Sequence, residues 1–169
     1  VPSNMRSQLI EKGSNTIILD AYNANPSSME AALRNLATAG AKNKVAILAD
    51  MYELGEDTVS EHQRIGHLIQ ELGIDQTFVC GPLMLDAAKV NPRITHFETK
   101  QELIRYFSAH PFDQKLILIK ASRGMGLETI LEHLRLSILA SFHSSLCKIP
   151  FFLDFISFRI FSSSSINVL

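Results

Sequence analysis

Residues 16–36 read Thr16-Ile17-Ile18-Leu19-Asp20-Ala21-Tyr22-Asn23-Ala24-Asn25-Pro26-Ser27-Ser28-Met29-Glu30-Ala31-Ala32-Leu33-Arg34-Asn35-Leu36. A β-branched and apolar run, Thr16 to Leu19, ends at the polar Asp20, as a buried strand does on leaving a sheet. The turn that follows is dense in Asn, Pro and Ser, residues that bond their own backbone or preset φ. Met29, Ala32, Leu33 and Leu36 then fall at i, i+3, i+4 and i+7, one apolar stripe of a helix. Strand, tight turn and amphipathic helix in immediate succession make a βα unit.

The same unit recurs along the chain. Val45–Leu48 runs into Ala49-Asp50, Thr77–Cys80 into Gly81, Ile94–Phe97 into Glu98, and Leu116–Ile119 into Lys120. Between these runs, Ser27…Glu30, Thr58…Glu61 and Thr99…Glu102 fit the S/T-x-x-E capping box, and Gly40 and Gly73 stand where helix C-caps belong. Ile65, Leu68, Ile69 and Leu72 form a second stripe. Strands joined by helical crossovers predict an α/β fold: a Rossmann-like, mostly parallel sheet flanked by helices. In such sheets ligands meet the carboxyl ends of the strands, which puts Asp20, Asp50, Glu98 and Lys120 on the functional edge. In the first turn, Asn23 and Asn25 offer amides that could read a purine edge or equally bond their own backbone. Ser122 and Gly124 are read as preceding a helix whose N-terminus could hold a carboxylate. His62 and His67, at i and i+5, have a poor metal spacing and are expected to be structural or solvent-facing, and Tyr22 and Cys80 to be core or near-core.

Composition bounds the function. With 16 basic against 17 acidic residues among 169, net charge −1, the chain lacks the electrostatic attraction to phosphate backbones that nucleic-acid binders use. Cys80 and Cys147 lie far apart with no CxxC pair, as in a reducing, cytoplasmic setting, and no metal site is expected. The chain opens Val1-Pro2-Ser3 without a signal-peptide pattern, and its first residue is read as a fragment boundary. Two regions differ in kind. Residues 1–135 hold 30 of the 33 charged residues and all eight Gly; residues 136–169 hold Lys148, Asp154 and Arg159 as their only full charges, with nine Ser and six Phe. In this tail His143, Lys148, Pro150, Asp154 and Arg159 interrupt every window of the roughly 20 residues needed to span a bilayer. The tail is expected to lie outside the fold, as a shifted reading frame or a misjudged gene end would produce. An interfacial helix or a partner-binding strand stays open, and no membrane partner is assigned.

Four motifs in order carry a family resemblance. Residues 20–33, DAYNANPSSMEAAL, resemble the D-x-YNANP-x-S signature of the third, C-terminal domain of the Mur ligases, in the branch that adds D-alanyl-D-alanine. Pro2–Gln8 is similar to the passage from that family's central domain. Leu48-Ala49-Asp50-Met51-Tyr52-Glu53-Leu54-Gly55 resembles LGDM-x-ELG, with His62 at the family's position in the next helix, and Lys120-Ala121-Ser122-Arg123-Gly124-Met125-Gly126-Leu127-Glu128 resembles KGSR-x-M-x-LE. Ala49 and Ala121 replace family glycines. The GxxGK[ST] phosphate loop, the magnesium-holding residues of the central domain and the domain that grips the uridine nucleotide are absent from the sequence.

The resemblance implies an ATP-dependent amide ligase of peptidoglycan precursor synthesis. ATP activates the terminal carboxylate of UDP-N-acetylmuramoyl-tripeptide as an acyl phosphate, and D-alanyl-D-alanine attacks through a tetrahedral intermediate. By the family pattern, Arg6 reaches the nucleotide phosphates as the catalytic cation, Asp20 accepts from the ribose hydroxyls, and Asn23 and Asn25 lie beside the base. The dipeptide is placed on Asp50, Glu53, Lys120, Ser122 and Arg123. Mg2+ is assigned mainly to the central domain, and the central and N-terminal Mur ligase domains are the implied partners, so the isolated chain is expected to be catalytically incomplete. Two other readings compete: a receiver-like signalling domain built on Asp20, Asp50 and Lys120, which lacks the second adjacent acid because Ala21 follows Asp20, and a non-catalytic nucleotide-binding module.

Overall fold

The structure is a computed structural model that describes residues 7–134; Arg6, Cys147 and the 136–169 tail lie outside the described residues. Its elements in order are β1 (Gln8–Lys12), β2 (Asn15–Asp20), α1 (Pro26–Thr38), β3 (Lys44–Ala49), α2 (Thr58–Leu72), β4 (Gln76–Cys80), α3 (Leu85–Val90), β5 (Ile94–Phe97), α4 (Lys100–Ala109) and β6 (Leu116–Lys120). They build one six-stranded sheet in the order β1-β2-β6-β3-β4-β5, in which β1 runs antiparallel to β2 and every other pairing is parallel. All five strands anticipated from the sequence are present. The sixth, β1, is joined to β2 by a two-residue loop in which Gly13 takes φ 63°. The Gly13-Ser14 pair was the available signal for that hairpin.

The apolar runs are buried on both faces, which is why they read as continuous rather than alternating. On one face Ala46, Leu48, Val79 and Leu118 pack against Met29, Leu33 and Leu36 of α1 and Ile65, Leu68 and Ile69 of α2. On the other, Val45, Ile47, Phe78, Ile117 and Ile119 pack against Leu103 and Phe107 of α4. Phe78 meets the Phe107 ring edge-on with centroids 5.2 Å apart, a geometry that aromatic quadrupoles favour.

The helix ends differ in part from the predicted caps. Thr99 and Glu102 do form a reciprocal capping box at α4, and Gly73 does close α2 in the left-handed conformation at φ 61°. At α1 the cap lies two residues earlier than Ser27: Asn25 accepts from the Ser28 amide, and the Ser28 hydroxyl accepts in return from the Asn25 amide. Pro26 at the first helical position, where its missing N–H costs nothing, enforces that earlier start. Thr58 is not an N-cap, because a 3₁₀ turn over Gly55–Asp57 leads directly into α2. Gly40 is not the C-cap of α1; Ala39 ends it in an extended conformation. The helix read after Ser122 is replaced by two short 3₁₀ turns, Arg123–Met125 and Leu127–Glu132, so no α-helical N-terminus faces that loop.

Asp50, at the end of β3, is almost wholly buried. Its Oδ1 accepts from the Met84 amide at 2.9 Å, and its carboxylate lies directly over Gly81. A Cβ on Gly81 would stand 2.4 Å from the carboxylate, and the residue has φ +113°. Gly81→Ala is therefore expected to cost about 2–4 kcal/mol in urea denaturation through clash and backbone strain. Gly40→Ala, with open space around it, should stay within about 0.5 kcal/mol. Equal losses at the two sites would contradict this packing. Burial also raises the Asp50 carboxyl above the usual range, opposed by the Met84 amide, His62, the Leu83 amide and His96. Over the window between the unfolded and the raised folded value, the folded chain keeps a proton that the unfolded chain has lost, so stability falls as pH rises through it. Asp50→Asn is expected to remove that slope, which begins at the ordinary carboxylate range and extends above it, and an unchanged slope in the variant would refute the assignment.

Candidate functional site

Three loops leave the carboxyl ends of adjacent strands in the middle of the sheet: Asp20–Asn25 after β2, Asp50–Leu54 after β3 and Lys120–Gly126 after β6. Beyond the Ala121 amide, which donates to the Asp20 carbonyl at 3.4 Å, side chains tie these loops together. Lys120 Nζ donates to Asp20 Oδ2 at 2.8 Å and to the Asn23 carbonyl at 2.9 Å. Lys120 is 1% exposed, whereas the Asp20 side chain is 21% exposed, so the ion pair is buried from the lysine end and open from the carboxylate end. Ser122 Oγ donates to the Ala24 carbonyl at 3.4 Å and accepts from the Tyr52 amide at 3.3 Å, joining all three loops at one atom.

The outer layer of the site is aromatic and cationic. The Arg123 guanidinium lies 5.6 Å from the centroid of the Tyr22 ring, within cation–π range. The Tyr52 hydroxyl donates to Met125 Sδ, and its ring packs on Gly124. Tyr22 is 43% exposed and Tyr52 42%, so the expectation that Tyr22 is a core residue is corrected. Ala21 is the residue of this turn that enters the core, and Tyr22 after it lies at the surface against Arg123. Tyr52 carried no separate signal, because a single tyrosine between motif residues reads as loop filler.

The second loop is held from below. His62, fully buried, accepts the Met51 amide on Nε2 at 3.2 Å, which places its proton on Nδ1, 2.6 Å from the Thr58 carbonyl. It is structural, as its spacing from His67 implied. Glu53 is exposed and takes φ 63°, a conformation unusual outside glycine and often found where a loop serves a site. Cys80 is buried, and burial, with Asp50 nearby, pushes its thiol up to about 11, which leaves it inert as a nucleophile at neutral pH.

The structure brings the anticipated residues to one edge but in unequal states. Asn23 and Asn25 are exposed beside Asp20, yet the Asn25 oxygen is engaged with the Ser28 amide and the Ser27 hydroxyl. Ser122 and Lys120 are buried and bonded to neighbouring loops, Arg123 and Glu53 are exposed, and Asp50 turns away to pack against Gly81. The acid–acid–lysine pocket of a receiver domain is not assembled, because Asp50 turns to the Met84 amide instead of toward Asp20 and Lys120. Among the described residues no group of three or more His, Cys, Asp or Glu could hold a metal ion, and no helix is long and apolar enough to cross a membrane.

Comparison with known proteins gives a consistent answer. The profile of the family described as Mur ligase, glutamate ligase domain, matches residues 5–123. The UDP-N-acetylmuramoyl-tripeptide–D-alanyl-D-alanine ligase of Bacillus subtilis (strain 168) is 36% identical over 140 residues, which cover 78% of this chain and 31% of that protein. The ligase of the same name from Rickettsia prowazekii (strain Madrid E) is 32% identical over 133 residues, covering 76% and 29%. Among solved structures, a MurF from Acinetobacter baumannii superposes with a TM-score of 0.69 at 30% identity, covering 78% of this chain and 30% of that one. The MurF of Thermotoga maritima solved with ADP gives 0.66 at 23%, covering 77% and 30%, a likeness of fold alone. The chain thus spans about 30% of the length of these relatives. The ordered motifs, the loops they build and the family profile lead to one conclusion: the chain belongs to the Mur ligase family, as its C-terminal domain.

Proposed function

We propose that this chain acts as the C-terminal domain of an ATP-dependent ligase that joins D-alanyl-D-alanine to UDP-N-acetylmuramoyl-tripeptide in the cytoplasm. The observation that carries the reading is the Asp20–Asn25 turn, a family motif whose acid is held at the strand edge with one side open to solvent. The unit responsible is residues 1–135, with 136–169 as an appended segment.

The residues fit an adenine nucleotide by donor chemistry. The open edge of the Asp20 carboxylate accepts two ribose hydroxyl protons, and the Asn23 and Asn25 amides lie beside the base. Arg6, just ahead of β1, supplies a guanidinium fork to the phosphates. ATP supplies the activation of the tripeptide carboxylate. The described residues do not fit magnesium, so Mg2+ is left to the central domain and no step is routed through it. On the dipeptide side, Arg123 and Glu53 are the exposed charges that meet its carboxylate and amine. Ser122, Lys120 and Asp50 fix the loops that carry them. Closure of this edge over the central and N-terminal domains shuts water out while the amide forms.

The test replaces the C-terminal third of the Bacillus subtilis relative with this chain and measures phosphate release dependent on both peptide substrates. Ligation is expected from the chimera, and Asp20→Ala should lower it by about 10²-fold or more. A folded chimera without ligation, or one indifferent to Asp20→Ala, would overturn the reading.

A further inference from the structure

We propose that Lys120 is a positioning residue for nucleotide recognition: its buried ammonium fixes the Asp20 carboxylate and the Asn23 backbone in the orientation that a ribose requires. This inference rests on the nucleotide reading above and adds a residue to it that touches no ligand. Asp20 and Lys120 are register partners across the parallel β2–β6 ladder, so their side chains rise side by side from the same face of the sheet. That face is the one packed by α1, since Leu118, two residues before Lys120, lies in the same cluster as Met29 and Leu33. The ammonium is thus removed from water and directed at two acceptors, Asp20 Oδ2 at 2.8 Å and the Asn23 carbonyl at 2.9 Å. The first bond holds one carboxylate oxygen inward and leaves the other edge outward; the second fixes the turn that carries the Asn23 amide.

At 1% exposure Lys120 offers no surface to a dipeptide, and its two hydrogen bonds both run to the nucleotide half of the edge. Without the ammonium, the Asp20 carboxylate would lose its inward anchor and sample other rotamers, and recognition of paired hydroxyls depends on a fixed acceptor direction. An arginine would not serve, because its larger planar fork cannot occupy a space closed around a compact point charge.

The experiment titrates the full 169-residue chain with two probes, AMP and 2′,3′-dideoxy-AMP, following backbone amide shifts by NMR. The parent chain is expected to bind AMP at least about tenfold more tightly than the dideoxy compound, which lacks both hydroxyls that the carboxylate accepts from. Lys120→Met should reduce AMP affinity to that of the dideoxy probe while leaving the dideoxy affinity within about twofold. Lys120→Gln, which keeps a donor without the charge, should lie between them and serves as the reporter if Lys120→Met does not fold. Equal weakening of both probes would show a merely structural lysine, and an undiminished preference for AMP in both variants would also overturn the proposal. A parent chain that binds the two probes alike would instead overturn the ribose reading of Asp20.

Discussion

The buried ammonium of Lys120 is the constraint on which the three-loop edge of the sheet depends. Removing a lysine from water costs several kcal/mol unless its protons are directed at good acceptors, so a chain that buries one must supply partners in fixed positions. Here those partners are Asp20 and the Asn23 carbonyl, both in the turn after β2. Satisfying the lysine therefore dictates the shape of the turn that carries the family signature. The turn in turn sets the start of α1, because Asn25, two residues past Asn23, is the cap that opens the helix.

A second tie completes the edge. Ser122, two residues past Lys120, reaches one way to the Ala24 carbonyl and the other way to the Tyr52 amide. Because β6 lies between β2 and β3, a residue just beyond its end is the natural bridge between the loops of its two neighbours. His62 and the Asp50–Gly81 contact hold the β3 loop from beneath. The exposed groups Tyr22, Arg123, Tyr52 and Glu53 are thus carried by loops whose backbones are braced before any ligand arrives, the preorganisation that a binding surface needs.

Much of this could be read from the sequence, and the reasons for the rest are physical. Parallel strands buried on both faces write themselves as unbroken apolar runs, so β2 to β6 were legible, as were the stripes on α1 and α2. The edge strand β1 was missed because its Gln8-Leu9-Ile10-Glu11-Lys12 run is short and half polar. α3, over Leu85–Val90, is too short to show a period. The α1 cap was misplaced because Ser27 and Glu30 match the S/T-x-x-E pattern, whereas Asn25 and Ser28, which form the box, do not; Pro26 at the first helical position was the signal for the earlier start. In the site, the motifs come together at one edge of the sheet but could not distinguish residues exposed there from residues that hold others in place. Asp50 and Lys120 end strands just as Asp20 does, and whether a strand-ending charge turns outward or inward is decided by neighbours far away in sequence: Gly81 and Met84 for one, Asn23 for the other.

The central claim is that Lys120 and Asp20 act as a unit in shaping this edge, and a double-mutant cycle tests it most directly. Lys120→Met, Asp20→Asn and the double variant of the full chain would be compared with the parent by urea denaturation. A coupling of about 2 kcal/mol is predicted, since removing the Asp20 charge alone leaves a buried ammonium with only the neutral Asn23 carbonyl as partner, whereas removing both charges leaves no buried ion. Losses that add to within about 0.5 kcal/mol would contradict the account.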